Sequence, residues 1–133
     1  MTPEGLTIRP SRHGPKETMD RLVAAVTNRG MTILARIDHA AAAAGVGMEL
    51  RSTEVVLFGN PRAGTPLMQA AQTIGIDLPL RALVWQDEKG ATWLGYNDPE
   101  WLARRHGAGI GTDRTLGAMN DALAALAREV TTD

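Results

Sequence analysis

Two ionisable residues at the start of a run of alanines are the first candidates for chemistry in this sequence. Asp38 and His39 stand in the segment ARIDHAAAAAGV, at the end of a predicted strand. An imidazole titrates near neutral pH, and an adjacent carboxylate can tune it as a general base or a metal ligand. Adjacent strand residues point to opposite faces, however, and Asp38 is also placed to cap a helix through the amide of Ala40 or Ala41. The pair is a candidate site in which Asp38 already has a sufficient structural role.

A second candidate is the loop FGNPRAGTPLM, where Gly59 and Gly64 have the spacing of a phosphate-binding P-loop. Thr and Pro stand where that loop requires Lys and Ser or Thr, which argues against a nucleotide hydrolase of this type. A loop leading into a helix N-terminus, with Asn60 and Arg62 close by, can still receive a carboxylate or phosphate. The alternative is ordinary turn chemistry, with the Asn-Pro pair turning the chain and Thr65 capping the next helix.

Four more polar residues stand at the ends of predicted strands: Asp77, Arg81, Tyr96 and Asn97. Arg81 either forms a structural ion pair with Asp77 or faces a cleft as an anion ligand. Tyr96 either orients a ligand or packs as an amphipathic side chain. The chain has no cysteine, its three histidines show no metal-ligand spacing, and it has no nucleophile elbow. We therefore expect no metal, no cofactor and no assignable catalytic residue.

Composition narrows the class of protein. Lys and Arg number 14 against 15 Asp and Glu, so no net charge attracts nucleic acid or an anionic membrane. The basic cluster Arg104-Arg105-His106 is short and lacks the aromatic neighbours of a base-stacking platform. The sequence shows no signal peptide and no run long enough to cross a bilayer. We expect a cytoplasmic protein with no nucleic-acid or membrane partner.

The spacing of apolar residues predicts the strands and helices that must position these candidate residues. Strands are predicted at 6–11, 31–37 and 53–58, and a hairpin is predicted in LRALVWQ-DEKG-ATWLGYN. If Gly90 is left-handed, Asp87 faces Ala91 and Trp85 faces Trp93. Amphipathic helices are predicted before Gly30 and after residue 112, and a short helix is predicted to open at Gly64-Thr65-Pro66.

Interspersed strands and helices with a tight hairpin predict an α+β fold, in which a mainly antiparallel, curved sheet of four to five strands packs against helices in two layers. A doubly wound parallel sheet is the weaker alternative. We place one domain at 1–106 and a glycine-rich linker with an amphipathic helix at 107–133. Packing of that helix on its own domain is favoured over a dimer seam.

The blocks IDHAAAAAGVGMEL, TEVVLFGNPRAGTPLM and IDLPLRALVWQDEKGATWLGYND, taken together over residues 6–106, resemble the domain of unknown function 302 family. The resemblance implies an α+β domain, commonly a homodimer, in bacteria and archaea, and it implies no established reaction. The polar positions of the family pattern fall on Asp38, His39, Asn60, Asp77, Arg81, Tyr96 and Asn97.

Three functions are consistent with these observations. The first is a homodimeric module that binds a small molecule or anion, with His39, Asn60, Arg62 and Arg81 around a pocket at one end of the sheet. The second is an interaction protein that acts through dimerisation. The third is an enzyme with His39 as general base and Asp38 or Asp77 as its orienting carboxylate. The sequence favours the first and leans away from catalysis.

Overall fold

A computed structural model describes residues 2–133, with only the backbone described at position 110. Five strands and five α-helices are interspersed along this part of the chain, with the last two strands consecutive and the last two α-helices following them. The strands are β1 (Leu6–Ser11), β2 (Thr32–Asp38), β3 (Thr53–Gly59), β4 (Leu80–Gln86) and β5 (Thr92–Asn97). The helices are α1 (Pro15–Asn28), α2 (His39–Gly45), α3 (Pro61–Ala70), α4 (Pro99–His106) and α5 (Asp113–Thr131). Short 3-10 helices at Gln72–Ile76 and Ile110–Thr112 precede β4 and α5.

The strands form one sheet in the order β1-β5-β4-β3-β2, and every neighbouring pair is antiparallel. The predicted α+β fold is confirmed, and the doubly wound parallel alternative is wrong. The hairpin has its predicted register, since Trp85 pairs with Trp93 and the amide of Asp87 donates to the carbonyl of Ala91 at 2.9 Å. Gly90 has the expected positive φ of 84°. Turn chemistry is local, and it fixes this pairing without help from the rest of the fold.

One face of the sheet, here called the inner face, is covered by α1 and α5. Met19, Leu22 and Val26 recur at helical spacing on α1 and are buried against alternate residues of the central strands, such as Val56 and Phe58. The apolar stripe of α5 joins the same core through Leu123, Leu126 and Val130. The predicted stripe of α5 is thus buried within the subunit.

The last turn of α5 is held to the beginning of the domain by arginine side chains. Arg21 of α1 donates to the carbonyls of Glu129, Val130 and Thr132 at 3.0–3.1 Å. Arg9 of β1 donates from Nε to the hydroxyl of Thr131 at 2.7 Å. Carbonyls at a helix C-terminus lack intrahelical donors, so the guanidinium group of Arg21 satisfies three of them, and the positive charges of Arg21 and Arg9 oppose the negative end of the helix dipole.

The opposite face of the sheet, here called the outer face, carries the alternate side chains of the same strands. Six of them are apolar and partly exposed: Ile8, Val55, Leu57, Leu83, Trp85 and Trp93. Neither hydrophobic core within residues 2–133 includes any of the six. A Cβ at Gly95 would lie 3.0 Å from the ring of Trp85, so the indole approaches the backbone closely at that glycine.

A second, smaller core closes one end of the sheet. Leu67 of α3, Ile74 of the first 3-10 helix and Leu102 of α4 pack there against Leu116 and Met119 of α5. This core places α3 and the start of α5 side by side, beyond the edge of the sheet where β2 starts and β3 ends. The site described next lies in the space between them.

Candidate functional site

A groove of about 720 Å³ opens between α3, α5 and the sheet end formed by the start of β2 and the end of β3. Its floor includes the buried side chains of Phe58, Leu123 and Leu126. Met31 and Met68 line its sides. The volume is within the range of roughly 300–1,000 Å³ found for small-molecule sites, and methionine side chains adapt readily to the shape of a ligand.

Small residues on the two helices leave this space open. Ala118 and Ala122 are one turn apart on α5, and Ala63 and Gly64 face the groove from α3. A longer side chain at any of these positions would project into the volume that the groove occupies. The volume of the groove therefore depends on the short side chains at these positions as well as on the path of the backbone.

Asn60 and Pro61 fix where α3 begins. The side-chain oxygen of Asn60 accepts from the amide of Arg62 at 2.9 Å, and Pro61 occupies the first helical position. The predicted start of this helix at Thr65 is wrong, because the Asn-Pro pair interpreted as a turn is itself the cap and first residue. Thr65 lies inside α3 and lines the groove.

Two arginines lie along the groove. Arg62 stands in the first turn of α3, and Arg114 stands in the first turn of α5. Both are exposed, and no ion pair within residues 2–133 includes either guanidinium. Each also lies near the positive end of a helix dipole. The groove thus combines apolar walls with two cations that are free to bind an anion.

A separate polar cluster joins α4 to the segment that leads into β4. Oδ2 of Asp77 lies 2.5 Å from Nε2 of His106 and 2.7 Å from Nη1 of Arg105. Nδ1 of His106 is 2.9 Å from the hydroxyl of Thr73. Burial by itself would raise the pKa of Asp77, but the hydrogen bonds from His106 and Arg105 outweigh burial and leave the pKa lowered. The cluster ties secondary-structure elements together and does not line the groove.

Asp38 and His39, the first candidate pair of the sequence analysis, lie at the other end of the sheet from the groove. Asp38 accepts from the amide of Ala41 at 2.9 Å, which is the predicted helix cap, while His39 is exposed on the first turn of α2. The register places Asp38 opposite Glu54, whereas Thr32, at the start of β2, pairs with Gly59 beside the groove. The structure therefore does not bring His39 to Asn60 and Arg62, and that part of the predicted pocket is wrong.

The remaining predicted residues are divided between the two faces of the sheet. Arg81 is exposed on the outer face and pairs across strands with Leu57. Asn97 lies on the same face at the end of β5. Tyr96 is buried in the inner core, where desolvation raises its pKa and the charge of Asp98 adds to that shift. Asp77 does not pair with Arg81, because its partners are Arg105 and His106.

Of the predicted residues, Asn60 and Arg62 line the groove. Sequence reasoning missed Arg114 and the short side chains of α5, although Ala118 and Ala122 are visible as a small-residue row beside its apolar stripe. It also missed the contact between His106 and Asp77, which are 29 residues apart and carry no spacing signal.

Two classes of feature are not found within residues 2–133. No three side chains of His, Cys, Asp or Glu gather closely enough to hold a metal ion. None of the helices there has the length and hydropathy needed to cross a membrane.

The model of the family described as "Domain of unknown function DUF302" matches residues 7–126. The chain belongs to the DUF302 family. This confirms the resemblance seen in the sequence. The resemblance covered residues 6–106, whereas the family match extends beyond His106 into α5.

A solved DUF302 structure has the same fold. The crystal structure of an uncharacterized conserved protein DUF302 from Bacillus stearothermophilus superposes with a TM-score of 0.84 and covers 96% of this chain and 99% of that one. At 18% sequence identity, this likeness supports the architecture and no shared activity.

The curated relatives are longer proteins. The "Fluoride-specific ion channel FluC 1" proteins of Brucella suis biovar 1 and Brucella abortus biovar 1 are each 48% identical to this chain over 115 residues. The matched region is 86% of this chain, but 45% and 43% of those proteins. This DUF302 chain therefore spans less than half the length of the curated relatives it matches.

Proposed function

We propose that this DUF302 chain is a homodimeric binding module whose groove takes a small organic anion with an apolar body. The observation that carries the proposal is the groove of about 720 Å³, which has apolar walls and, beside it, the exposed guanidinium groups of Arg62 and Arg114, neither of which forms an ion pair within residues 2–133. A ligand that buries a hydrocarbon part against Phe58 and Leu126 and directs a carboxylate at the arginines would satisfy both features.

The apolar walls select against small, fully hydrated anions. Moving a charged group from water into an apolar space costs several kcal/mol unless it is paired, and only the part of the groove near the arginines can pair it. An anion without a hydrocarbon part would gain only the exposed contacts with Arg62 and Arg114, which are worth little in water. We therefore expect affinity to rise with the apolar area of the ligand.

Isothermal titration with acetate, octanoate and octanol tests this expectation. Octanoate should bind. Acetate, which lacks the apolar part, should bind at least about tenfold more weakly, and octanol, which lacks the charge, should bind less tightly than octanoate by a smaller factor. Substituting both groove arginines, Arg62→Ala and Arg114→Ala, should remove the advantage of octanoate over octanol. The matched control is Arg104→Ala, since Arg104 is an exposed arginine on α4 that does not line the groove. Equal binding of octanoate and octanol would contradict the proposal.

The homodimer rests on a different observation, which is the amount of apolar surface exposed away from the groove. Five large apolar side chains that do not line the groove are at least 42% exposed: Ile37, Val46, Met48, Leu50 and Ile76. The alternative of a dimer seam on α5 is not available for this purpose, because Leu123 and Leu126 are buried in the inner core. Light scattering of the purified chain should give twice the mass of one chain, and a single-chain mass at all concentrations would contradict a dimer.

The Brucella relatives favour a second candidate function, an accessory module of an ion channel. In those proteins, the region similar to this chain makes up less than half of the length, and the rest is additional sequence. Each full-length protein is named a fluoride-specific ion channel. The experiment is to delete the matched region from a Brucella protein and measure fluoride efflux from liposomes. A changed efflux rate or fluoride threshold supports the accessory role, and unchanged efflux counts against it.

The enzyme hypothesis has the least support. It requires a carboxylate to orient His39, but Asp38 is engaged in capping α2 and Asp77 lies with His106 at the other end of the sheet. A general base needs a partner within hydrogen-bond reach, and no hydrogen bond within residues 2–133 involves the ring of His39.

A further inference from the structure

Thr73, His106 and Asp77 form a chain of polar contacts at the end of α4, and none of the three lines the groove. Oγ1 of Thr73 lies 2.9 Å from Nδ1 of His106, and Nε2 of the same ring lies 2.5 Å from Oδ2 of Asp77. Thr73 is exposed, whereas the imidazole side chain is 8% exposed. We infer that this cluster is a reactive site, in which the Thr73 hydroxyl takes an acyl group from a small carboxylic ester.

The charge of Asp77 determines which ring nitrogen of His106 carries a proton. Burial by itself would raise the pKa of Asp77, but hydrogen bonds from His106 and Arg105 lower it, so at neutral pH the carboxylate is ionised and can only accept. Nε2 therefore donates to Oδ2. In a neutral imidazole Nδ1 is then the acceptor, and the hydroxyl of Thr73 is its donor. A hydroxyl nucleophile requires this arrangement with its general base.

The cluster has the three parts of the hydroxyl, imidazole and carboxylate triad that carries out acyl transfer. The imidazole lies within hydrogen-bond reach of the hydroxyl, and the carboxylate orients the ring. In serine hydrolases Nε2 faces the hydroxyl and Nδ1 faces the carboxylate, whereas here the two nitrogens are exchanged. The exchange does not alter the chemistry, because either ring nitrogen can accept a proton.

The structural role of the cluster does not require the Thr73 hydroxyl. The contacts of Asp77 with Arg105 and His106 already attach the end of α4 to the segment before β4. Several other threonine hydroxyls within residues 2–133 donate to backbone carbonyls, as Thr27 of α1 does at 2.9 Å. The hydroxyl of Thr73 is instead directed at a shielded imidazole, which is the contact that a nucleophile needs.

Ile76 provides an apolar surface beside the hydroxyl. Side chains three residues apart eclipse one another in a 3-10 helix, so Ile76 lies on the same side of the Gln72–Ile76 helix as Thr73. Ile76 is 70% exposed and can contact an apolar group of the ester. The class of acyl donor that fits this surface is an uncharged ester with a short apolar acyl group.

The acyl transfer needs no reactant besides the ester. Oγ1 of Thr73 attacks the carbonyl carbon, and the hydroxyl proton moves to Nδ1 of His106. The bond between the carbonyl carbon and the leaving oxygen then breaks, and the imidazolium gives the proton to that oxygen. The products are an acyl ester of Thr73 and a free alcohol. Asp77 stabilises the imidazolium that exists between the two proton transfers.

Incubation of the full chain with p-nitrophenyl acetate tests the nucleophile, because released p-nitrophenolate is coloured and peptide mass mapping after an acid quench locates the acetyl group. We expect acetylation of Thr73. Thr73→Ala should slow the release at least about tenfold, and Thr73→Ser, which keeps a hydroxyl, should retain it. The matched control is Thr27→Ala, since Thr27 is also exposed but its hydroxyl donates to a carbonyl. Acetylation of lysine side chains gives a background common to all variants.

His106→Gln tests the general base, because an amide can form hydrogen bonds but cannot take the proton. Release should again be at least about tenfold slower, and His39→Gln, at an exposed histidine of α2, should not change it. If His106→Gln does not fold, the two variants at exposed Thr73 decide. Equal release by wild type and Thr73→Ala, or an undiminished rate in folded His106→Gln, would overturn the inference. Thr73→Ala should keep its octanoate affinity, which separates this site from the groove.

Discussion

Nε2 of His106 lies 2.5 Å from Oδ2 of Asp77, and the same carboxylate oxygen accepts from Arg105. The contact fixes the C-terminus of α4 to the residue that precedes Leu78 and Pro79, both of which line the groove. The His106 side chain is only 8% exposed, so its contact with Asp77 is partly shielded from water. The position of one groove wall therefore depends on a cluster outside the groove.

Asp77→Asn should reduce the free energy of unfolding by about 1–2 kcal/mol at pH 7, because a charge-assisted acceptor is lost from a shielded cluster. The pKa of Asp77 is lower in the folded state than in the unfolded state. Its stabilisation is therefore fully present above the unfolded pKa of about 4 and disappears as the pH falls through the folded value. Urea unfolding at several pH values measures the loss, with Asp121→Asn, an exposed residue of α5, as control. A loss that is independent of pH would contradict this explanation.

Asp87→Ala should loosen the hairpin that carries both outer-face tryptophans. Its carboxylate accepts from the indole of Trp93 at 2.8 Å and from the amides of Lys89 and Ala91 at 2.9 Å. The indole bond, followed by the Ala91 amide, lowers the pKa of Asp87. We expect a lower urea midpoint and a red-shifted tryptophan emission, and the same change in wild type only when acid protonates the carboxylate. Glu88→Ala at the exposed tip of the turn is the control, and an equal effect there would point to the turn in general.

Ala122→Leu should fill part of the groove. Ala122 lines it from α5 and is half-buried, so a larger side chain at this position would occupy the space of a ligand. We expect octanoate affinity to fall at least about tenfold, while the free energy of unfolding changes by no more than about 1–2 kcal/mol in either direction. Titration and urea unfolding measure the two effects, with Ala24→Leu on the exposed side of α1 as control. Full octanoate affinity in a folded variant would mean that the ligand binds elsewhere.

His39→Ala should change neither octanoate affinity nor the free energy of unfolding beyond about 0.5 kcal/mol. His39 is exposed on α2, at the opposite end of β2 from the groove. Titration and urea unfolding are again the measurements. A tenfold loss of affinity would require a contact that this arrangement of the chain does not contain.

Local sequence signals predicted the parts of the fold that local chemistry determines. The hairpin register followed from the turn at Gly90, and the cap of α2 followed from the position of Asp38. The start of α3 was misplaced because Asn60 and Thr65 are both good capping residues, and only the structure shows which one accepts the amide.

Long-range relationships could not be predicted in this way. Nothing local indicates that β1 pairs with β5, or that His106 reaches Asp77. For the same reason, sequence reasoning found Asn60 and Arg62 but not the arginine of α5 that lies along the same groove. The turn at Gly90 and the cap at Asp38 were predicted correctly from neighbouring residues, but the alternative in which Arg81 pairs with Asp77 does not hold, and contacts made by packing were missed.

The arginine contacts between α1, β1 and the last turn of α5 also constrain how a newly made chain folds. Within this domain, Met19, Leu22 and the strands of the sheet are translated before Leu126 and Val130, which cover part of the inner face. The nascent domain must wait for its last helix with a large apolar face uncovered, which is the state in which chains aggregate or recruit chaperones. We expect chains truncated before α5 to be insoluble rather than merely less stable, since the last helix of this domain supplies part of the layer that covers the inner face.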